Sequence, residues 1–367
     1  MKKSLYILAT LAVVACSKTE TDYISSQNDE IVVIPAASNI TKAAIIDGVY
    51  PEANHISLFA FHAPSFPAAG TVDASDYSKF VETYLYDTEY FYTGLFDQST
   101  KIWAGLKSSY YWPITGSLVF AGYSLQAPTT TGARQESPKI GTKVAYELAT
   151  DKLEIEGYTQ SLDPASTFDF LYFGRTSSSY NNRRTGNPIA LEFKHALSWI
   201  TVKVKGGDGA LVDDHVWSVT DVKLTGVQKT GDFTYTGTAT GTKVNWDTPA
   251  TPSDAEFVIY DSAFKGSDGE AVGAQELTAT MSPVENVTNG TLVIPQSAAT
   301  LWVTIEYLSP ANDTITEEIE IDLSDYTTAG WEAGKRYTYE LTFDPKEITV
   351  APIVETWPDP VVASPQF

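Results

Sequence analysis

The sequence predicts an all-β protein built from antiparallel β-sandwiches, and three observations support this fold class. Apolar and polar side chains alternate with a period of two in several segments, among them 200–204, 301–307, 319–323 and 337–343. Turn-forming clusters such as KGGDGA and SPAND separate the alternating segments. No long stretch has the 3.6-residue periodicity of an amphipathic helix. This combination favours antiparallel sheets over alternating β and α units.

The chain is long enough for two domains. Removing an N-terminal signal from the 367 residues leaves about 350, more than one ordinary domain contains. The polar, turn-rich run GRTSSSYNNRRTGNP at 174–188 separates an aromatic-rich first half from the second half. We therefore predict a signal peptide at 1–15, a tether with a first strand at 16–42, and two sandwich domains at 43–186 and 187–367.

The N-terminus has the layout of a bacterial export signal. Lys2 and Lys3 form a positive region, an apolar stretch follows at 4–15, and Cys16, the single cysteine, comes next. That stretch is shorter than the roughly 20 residues that a membrane-spanning helix needs. The sequence VVAC at 13–16 resembles the lipobox, in which the cysteine receives lipid, so we predict that Cys16 carries acyl chains, palmitate among them. An ordinary secretory peptide that contains a cysteine is the alternative.

Charge and composition narrow the possible partners. The formal net charge is −22, from 24 basic and 46 acidic residues, and a surface of this sign repels phosphate backbones. Nucleic acid is therefore not an expected partner. A single cysteine and four histidines rule out a thiolate cage and make a structural zinc site hard to build. We predict no metal and no cofactor.

Possible catalytic residues have simpler explanations. Asp213, Asp214 and His215 resemble a general base with carboxylate partners, but they follow a glycine-rich stretch and fit a solvated turn better. His195 is expected to pack within a strand. His55 and His62 have no neighbouring set of metal ligands in the sequence. Since nucleophile-elbow, Walker and HExxH motifs are also absent from the sequence, we predict that the protein is not an enzyme.

A cluster of aromatic residues permits two interpretations. Trp103, Tyr110, Tyr111 and Trp112 could form a platform on which sugar rings stack. Alternatively they fill a core between sheets, where aromatics contribute large apolar areas. We favour the core.

Several segments together resemble the fimbrillin family, the lipoprotein-derived pilins of type V pili in Bacteroidota. The most specific are DFLYFG at 169–174 and IALEFKHALSWITVKVK at 189–205. The others occur in family order along nearly the whole mature chain: TKAAIIDGVYPEANHISLFAF at 41–61, YYWPITGSLVFAGYS at 110–124, LTGVQKTGDFTY at 224–235, LVIPQ at 292–296, WEAGKRYTYELTF at 331–343 and EITVAPIVETW at 347–357.

This resemblance implies transthyretin-like, Greek-key sandwiches that assemble by donor-strand exchange. In the family, a trypsin-like surface protease removes the N-terminal segment of an outer-membrane lipoprotein, and a strand from another subunit fills the groove that is left. Of the two basic residues between Cys16 and the folded body, Lys18 and Lys42, we select Lys42, so that cleavage leaves Ala43 as the first residue. A subunit that keeps its lipid would instead serve as an anchor or surface lipoprotein.

Two segments are expected to exchange places in the groove. The leader strand would contribute Ile31, Val32, Val33 and Ile34, whose burial represents at most about 10 kcal/mol. The incoming donor strand would be C-terminal, with Ile348, Val350 and Val354 as its apolar residues and Pro352 interrupting the run.

The predicted function is that of a structural and adhesive pilus subunit or accessory subunit at the cell surface. Its expected partners are other pilins, a trypsin-like protease, the outer membrane before processing, and a host or bacterial surface ligand. The rival hypothesis is a surface glycan-binding lipoprotein that does not polymerise and binds sugars through exposed aromatics.

Overall fold

A computed structural model describes residues 30–35, 50–64, 76–96, 100–113, 115–128, 135–162, 167–176, 188–207, 217–238, 241–250, 256–265, 269–284, 290–297, 299–309, 311–327, 329–344 and 347–357. Within these ranges the chain is almost entirely β-structure, and the helical elements are two short 3₁₀ helices at Asp76–Lys79 and Leu323–Asp325. Neither of these is long or apolar enough to cross a membrane.

The strands are numbered in chain order. Between residues 33 and 206 the strands are β1 (Val33–Pro35), β2 (His55–Ala63), β3 (Glu82–Phe96), β4 (Thr100–Gly105), β5 (Ser117–Leu125), β6 (Lys143–Glu147), β7 (Lys152–Thr159), β8 (Leu171–Thr176), β9 (Ile189–Leu191), β10 (Lys194–His195) and β11 (Ser198–Gly206). The later ones are β12 (Ser218–Thr225), β13 (Thr230–Thr238), β14 (Gly241–Asp247), β15 (Phe257–Asp261), β16 (Gln275–Glu276), β17 (Ser282–Pro283), β18 (Thr291–Val293), β19 (Thr300–Leu308), β20 (Thr314–Asp322), β21 (Lys335–Asp344) and β22 (Glu347–Thr356).

An eight-stranded sheet in the order β10-β8-β5-β2-β3-β4-β1-β9 forms the framework of the first half. Its two end strands, β9 and β10, are separated in sequence by only Glu192 and Phe193. Three Cα–Cα steps of about 3.8 Å bring the ends within roughly 11 Å of each other. The sheet is therefore strongly curled, with β1 next to the point where its ends meet.

Side chains on the two faces of this curled sheet enter different cores. Along β2, Ile56, Leu58 and Ala60 belong to one core, whereas Phe59 and Ala63 belong to the other, as period-two alternation requires. The first of these, which we call the inner core, is built from β1, β2, β3, β4, β5, β8 and β9 and from adjoining residues. The other lies between the curled sheet and a four-stranded sheet of order β14-β13-β7-β6.

Two sheets enclose the core of the second half. One has the path β17-β11-β21-β22, with β18 also on β11, and the other has the path β15-β12-β19-β20, with β16 also on β12. Alternate residues of β21, namely Tyr337, Tyr339, Leu341 and Phe343, are buried in this core. The prediction of an all-β sandwich fold is confirmed. Among the described strands, two pairs are parallel rather than antiparallel: β1 with β9, and β11 with β21.

The sheets do not divide at the predicted boundary between residues 186 and 187. The hairpin β13–β14 pairs with β7 of the first half, and Phe233 and Tyr235 enter the core that the four-stranded sheet covers. Strands β9 and β10 also belong to the first half's curled sheet. The two-domain division stays a prediction, and any such division must assign these segments to the first unit.

Candidate assembly site

Strand β1 lies between two strands of the folded body. Val33 is the antiparallel partner of Trp103 in β4 and the parallel partner of Ile189 in β9. The backbone N–H of Ile31 donates to the carbonyl of Tyr110 at 2.7 Å, and the N–H of Ile189 donates to the carbonyl of Val32 at 2.9 Å. The leader segment therefore has main-chain partners along both of its edges.

The side chains of the leader segment alternate between the inner core and the outer side. Ile31 and Val33 are fully buried in the inner core, whereas Val32 and Ile34 are half-buried. At about 1.5–3 kcal/mol for each fully buried aliphatic side chain, Ile31 and Val33 together contribute about 3–6 kcal/mol. This is less than the upper bound drawn from four side chains, because two of the four stay partly in contact with solvent.

The space that β1 occupies, which we call the leader seat, has an aromatic lining. Tyr50 stacks on Phe193 and meets Trp103 edge-on, with ring centroids 5.4 and 5.5 Å apart respectively. Burial raises the pKa of Tyr50 and of Tyr90 well above the ordinary tyrosine value, so both phenols are neutral at physiological pH. An uncharged, apolar lining suits the apolar residues of a strand.

Strand β22 lies at the opposite end of the chain and at the edge of its sheet. It pairs with β21 along its whole length, from Glu347 opposite Asp344 to Thr356 opposite Lys335. Ile348 and Val350 are partly buried against the second-half core, but the residues at 351–356 are exposed. Val354 is 54% exposed and Ile353 38%. The apolar side chains in the last part of β22 therefore have little contact with their own subunit.

The residue after β22 is anchored in the first half. Trp357 is 1% exposed, belongs to the core shared by the curled and four-stranded sheets, and donates its backbone N–H to Gly334 at 2.9 Å. Its indole stacks on the imidazole of His195, with ring centroids 3.5 Å apart and planes inclined by 16°. The Nδ1 atom of His195 lies 3.1 Å from Oδ2 of Asp169. The end of β22 is thus held by a buried aromatic contact.

The residues predicted to be lipidated or cleaved, Cys16, Lys42 and Ala43, lie outside the described residues, and so do Asp213, Asp214 and His215. Lipidation and processing at these positions stay predictions. The structure does place Ile31, Val32, Val33 and Ile34 in or beside the curled sheet, and Ile348, Val350 and Val354 in β22.

The other histidines pair with carboxylates. His55 lies 2.5 Å from Glu89 and His62 lies 2.8 Å from Glu82. Burial opposes ionisation of Glu89, but hydrogen bonds from His55 and from the backbone N–H of Ser137 lower its pKa below the usual value. His195 is buried in β10, as expected for a strand-packed histidine. Within the described ranges, no group of three His, Cys, Asp or Glu side chains is placed to hold a metal ion.

The aromatic cluster fills a core. Trp103 and Trp112 are 1% and 7% exposed, and the indole N–H of Trp103 donates to the carbonyl of Asn54 at 2.9 Å. Tyr110 and Tyr111 are half-buried. The interpretation of Trp103 and Trp112 as a sugar-stacking platform is wrong, because neither indole face is open to a ligand.

Sequence reasoning missed two parts of this site. Strand β9 is only three residues long, and its apolar residues carry no periodicity that would identify β1 as its partner. Trp357 follows directly after the C-terminal strand. A large aromatic residue at such a position is a sequence signal for a buried side chain that anchors the end of the strand. Its packing partner His195, however, lies far away in the sequence and could not be inferred.

Comparison with known proteins agrees with the fold. A family model described as fimbrillin-like matches residues 41–357. The solved structure of a fimbrial protein from Bacteroides vulgatus is similar, with 18% identity and a TM-score of 0.57 over 90% of this chain and 100% of that chain. The tip fimbrial protein Mfa3 from Porphyromonas gingivalis, solved with a C-terminal truncation, aligns at 8% identity and a TM-score of 0.34 over 90% of this chain and 99% of that chain. A search of curated proteins found no match.

Proposed function

Because the chain belongs to the fimbrillin-like family, we propose that it is a pilus subunit that is exported as a lipoprotein and assembles by donor-strand exchange. Membership of this family assigns the protein a structural and adhesive role at the cell surface. The finer proposal includes lipid attachment at Cys16, cleavage between Lys42 and Ala43 by a trypsin-like protease, and replacement of the leader strand by a strand of another subunit.

The observation that carries the proposal is the position of β1 between β4 and β9. If the chain is cut after Lys42, the strand is no longer covalently joined to the body that surrounds it. Its departure would leave unpaired the carbonyl of Tyr110 and the N–H of Ile189, together with an apolar space once filled by Ile31 and Val33. Unpaired buried backbone groups and empty apolar volume both favour the entry of a new strand.

The donor that we propose is β22. In the isolated chain its exposed end has few side-chain contacts with the second half, so much of its attachment comes from the backbone ladder to β21. A donor strand that leaves β21 and enters another subunit's leader seat regains backbone hydrogen bonds and also buries apolar side chains such as Val354. Burial of the exposed end favours the exchange, whereas loss of the partial burial of Ile348 and Val350 opposes it.

Limited proteolysis of the purified lipoprotein tests the proposal. A Lys/Arg-specific protease is expected to yield a chain that begins at Ala43 by N-terminal sequencing and forms ladders on a gel without boiling. The matched control, Lys42→Ala, retains Lys18 and should lose the lipidated residues there while keeping its leader strand and staying monomeric. A processed chain beginning at Ala43 that stays monomeric at high concentration would contradict the proposed function.

Two variants separate the donor role from folding. Deleting residues 347–367 should abolish ladders, but it also uncovers the edge of β21. Val354→Asp changes a side chain that is 54% exposed and should therefore leave the monomer folded while preventing entry into an apolar groove. The control is Val272→Asp, which changes a residue that is 44% exposed and lies outside the leader strand β1 and the donor strand β22. This variant should form normal ladders.

A further inference from the structure

The C-terminal strand ends in a contact that ties it to the first half of the molecule. The residues at 351–356 are exposed, whereas Trp357 is buried against His195 and also lies near Trp199, at a ring-centroid distance of 5.3 Å. A cleft of about 660 Å³ borders this contact and is lined by Trp357, His195, Lys194 and Trp331, among others. Trp357 therefore lies at the border of a cleft, although its side chain is almost fully buried.

His195 belongs to a short segment whose other end depends on the leader strand. Strand β9 has one partner among the described strands, which is β1. Only Glu192 and Phe193 separate β9 from β10, and Phe193 packs on Tyr50 and Phe173 of the inner core. Strand β10 makes two residue pairs with β8, and His195 is further held by Asp169, whose Oδ2 lies 3.1 Å from its Nδ1. Loss of β1 thus removes the pairing partner from one end of the segment that carries His195.

We propose that the His195–Trp357 stack is a latch that holds the C-terminal strand in place until the leader strand has been removed. The inference rests on the proposed function, because it concerns the release of the same donor strand. When β1 departs, β9 loses its backbone partner, the segment 189–195 gains freedom, and the stack on Trp357 weakens. Strand β22 is then free to detach from β21 at its exposed end.

This latch would make two events occur in the correct order. While the leader seat is filled, a detached β22 could not insert into that seat. Its exposed apolar residues and free backbone groups would instead promote pairing with the sheet edges of other molecules. A chain that has lost its leader needs both an empty seat and an available donor. Because β9 touches the leader strand and His195 touches Trp357, the one short segment 189–195 connects both requirements.

Hydrogen exchange of the backbone amides in β22 tests the latch. In the intact full chain, Trp357→Ala should make the amides of 347–356 exchange at least about tenfold faster, while the amides of β19 keep their protection. Trp357→Phe keeps an aromatic ring against His195 and should stay close to the wild-type rate. Ile353→Ala, on the same strand but 38% exposed, is the control for a change that does not touch the latch.

The same measurement on cleaved wild-type protein, at a concentration where light scattering shows only monomers, should give faster exchange of β22 than in the uncleaved chain. Two results would overturn the latch: unchanged exchange of β22 after cleavage, or unchanged exchange in intact Trp357→Ala. If the cleaved protein still forms ladders, either of those results refutes the latch and leaves the proposed function intact. If ladders never form from a chain that begins at Ala43, the proposed function itself is contradicted.

Discussion

Val33 and Ile189 are direct partners in a parallel strand pair, although one belongs to the N-terminal leader and the other comes after β8 in the sequence. The pairing puts an N-terminal segment inside the sheet, next to the point where the curled sheet's ends meet. Removal of the leader therefore leaves backbone groups of the body without their partner, because among the described strands only β1 lies between β4 and β9.

The two adjacent valines of the leader segment should differ sharply in their contribution to stability. Val33 is fully buried, whereas Val32 is half-buried on the other side of the segment. We expect Val33→Ala to lower the free energy of unfolding by about 2 kcal/mol and Val32→Ala by less than about 1 kcal/mol. Urea denaturation of the uncleaved chain measures both. Equal losses would contradict the orientation of the leader segment.

Asp151 should be important for attaching the hairpin β13–β14 to the first half. This carboxylate is 4% exposed and accepts hydrogen bonds from Tyr146, Tyr235 and the backbone N–H of Arg175, at 2.6, 2.9 and 3.0 Å. Asp151 has a φ of 50°, which asparagine tolerates. Asp151→Asn therefore keeps the size of the side chain but removes its charge and replaces one accepting oxygen with an NH2 donor, and it should reduce the free energy of unfolding by about 2 kcal/mol.

The matched control for this change is Asp313→Asn, which alters an exposed aspartate in a turn. It should shift the unfolding midpoint by less than the experimental error. An Asp151→Asn variant with the stability of the wild type would show that the hydrogen bonds to Asp151 do not hold the hairpin β13–β14.

Asp221 should make the protein less stable as the pH rises. Burial raises its pKa to about 6, with Asp261, Glu256 and Glu318 adding to the effect and Lys223 opposing it. Because the folded-state value lies above the unfolded value of about 3.9, the stabilisation is complete below pH about 3.9 and is lost as the pH rises through 6. Asp221→Asn should remove this loss and raise stability at pH 7.5 by about 1–2 kcal/mol, after allowance for its half exposure.

Urea midpoints at pH 4 and pH 7.5 measure the effect of Asp221. The variant and wild type should differ little at pH 4 and diverge at pH 7.5. Asp325→Asn, at an exposed position in the same half, should show no divergence. A wild-type advantage at pH 7.5 would mean that the carboxylate of Asp221 is stabilised in the fold.

Strands with strict alternation were predictable from the sequence because one face of each strand packs on a core and the other face is partly exposed to solvent. The segments at 200–204, 301–307, 319–323 and 337–343 all fall in strands or directly at their ends. In β19, Leu301, Val303 and Ile305 are buried and the residues between them are partly exposed, so each side chain reports its own face of the sheet. The core role of Trp103 and Trp112 followed from their size.

Long-range strand order was not predictable in the same way. Strands β1 and β9 have three residues each, which is too short for any periodicity to specify a partner. The hairpin β13–β14 alternates normally, but nothing in it shows that its neighbour is β7 instead of a strand of the second half. The contact between His195 and Trp357 depends on this same assembly of distant segments.

Competition with a synthetic leader peptide tests whether an incoming strand occupies the leader seat. A peptide covering residues 28–38, added to processed chains that begin at Ala43, should bind the vacated seat and suppress ladder formation in proportion to its concentration. The same peptide with Ile31→Asp and Val33→Asp should have no effect, because a carboxylate does not enter the apolar seat without a partner. Ladders that form equally well with the native peptide, the altered peptide and no peptide would contradict the claim that an incoming strand takes the place of β1.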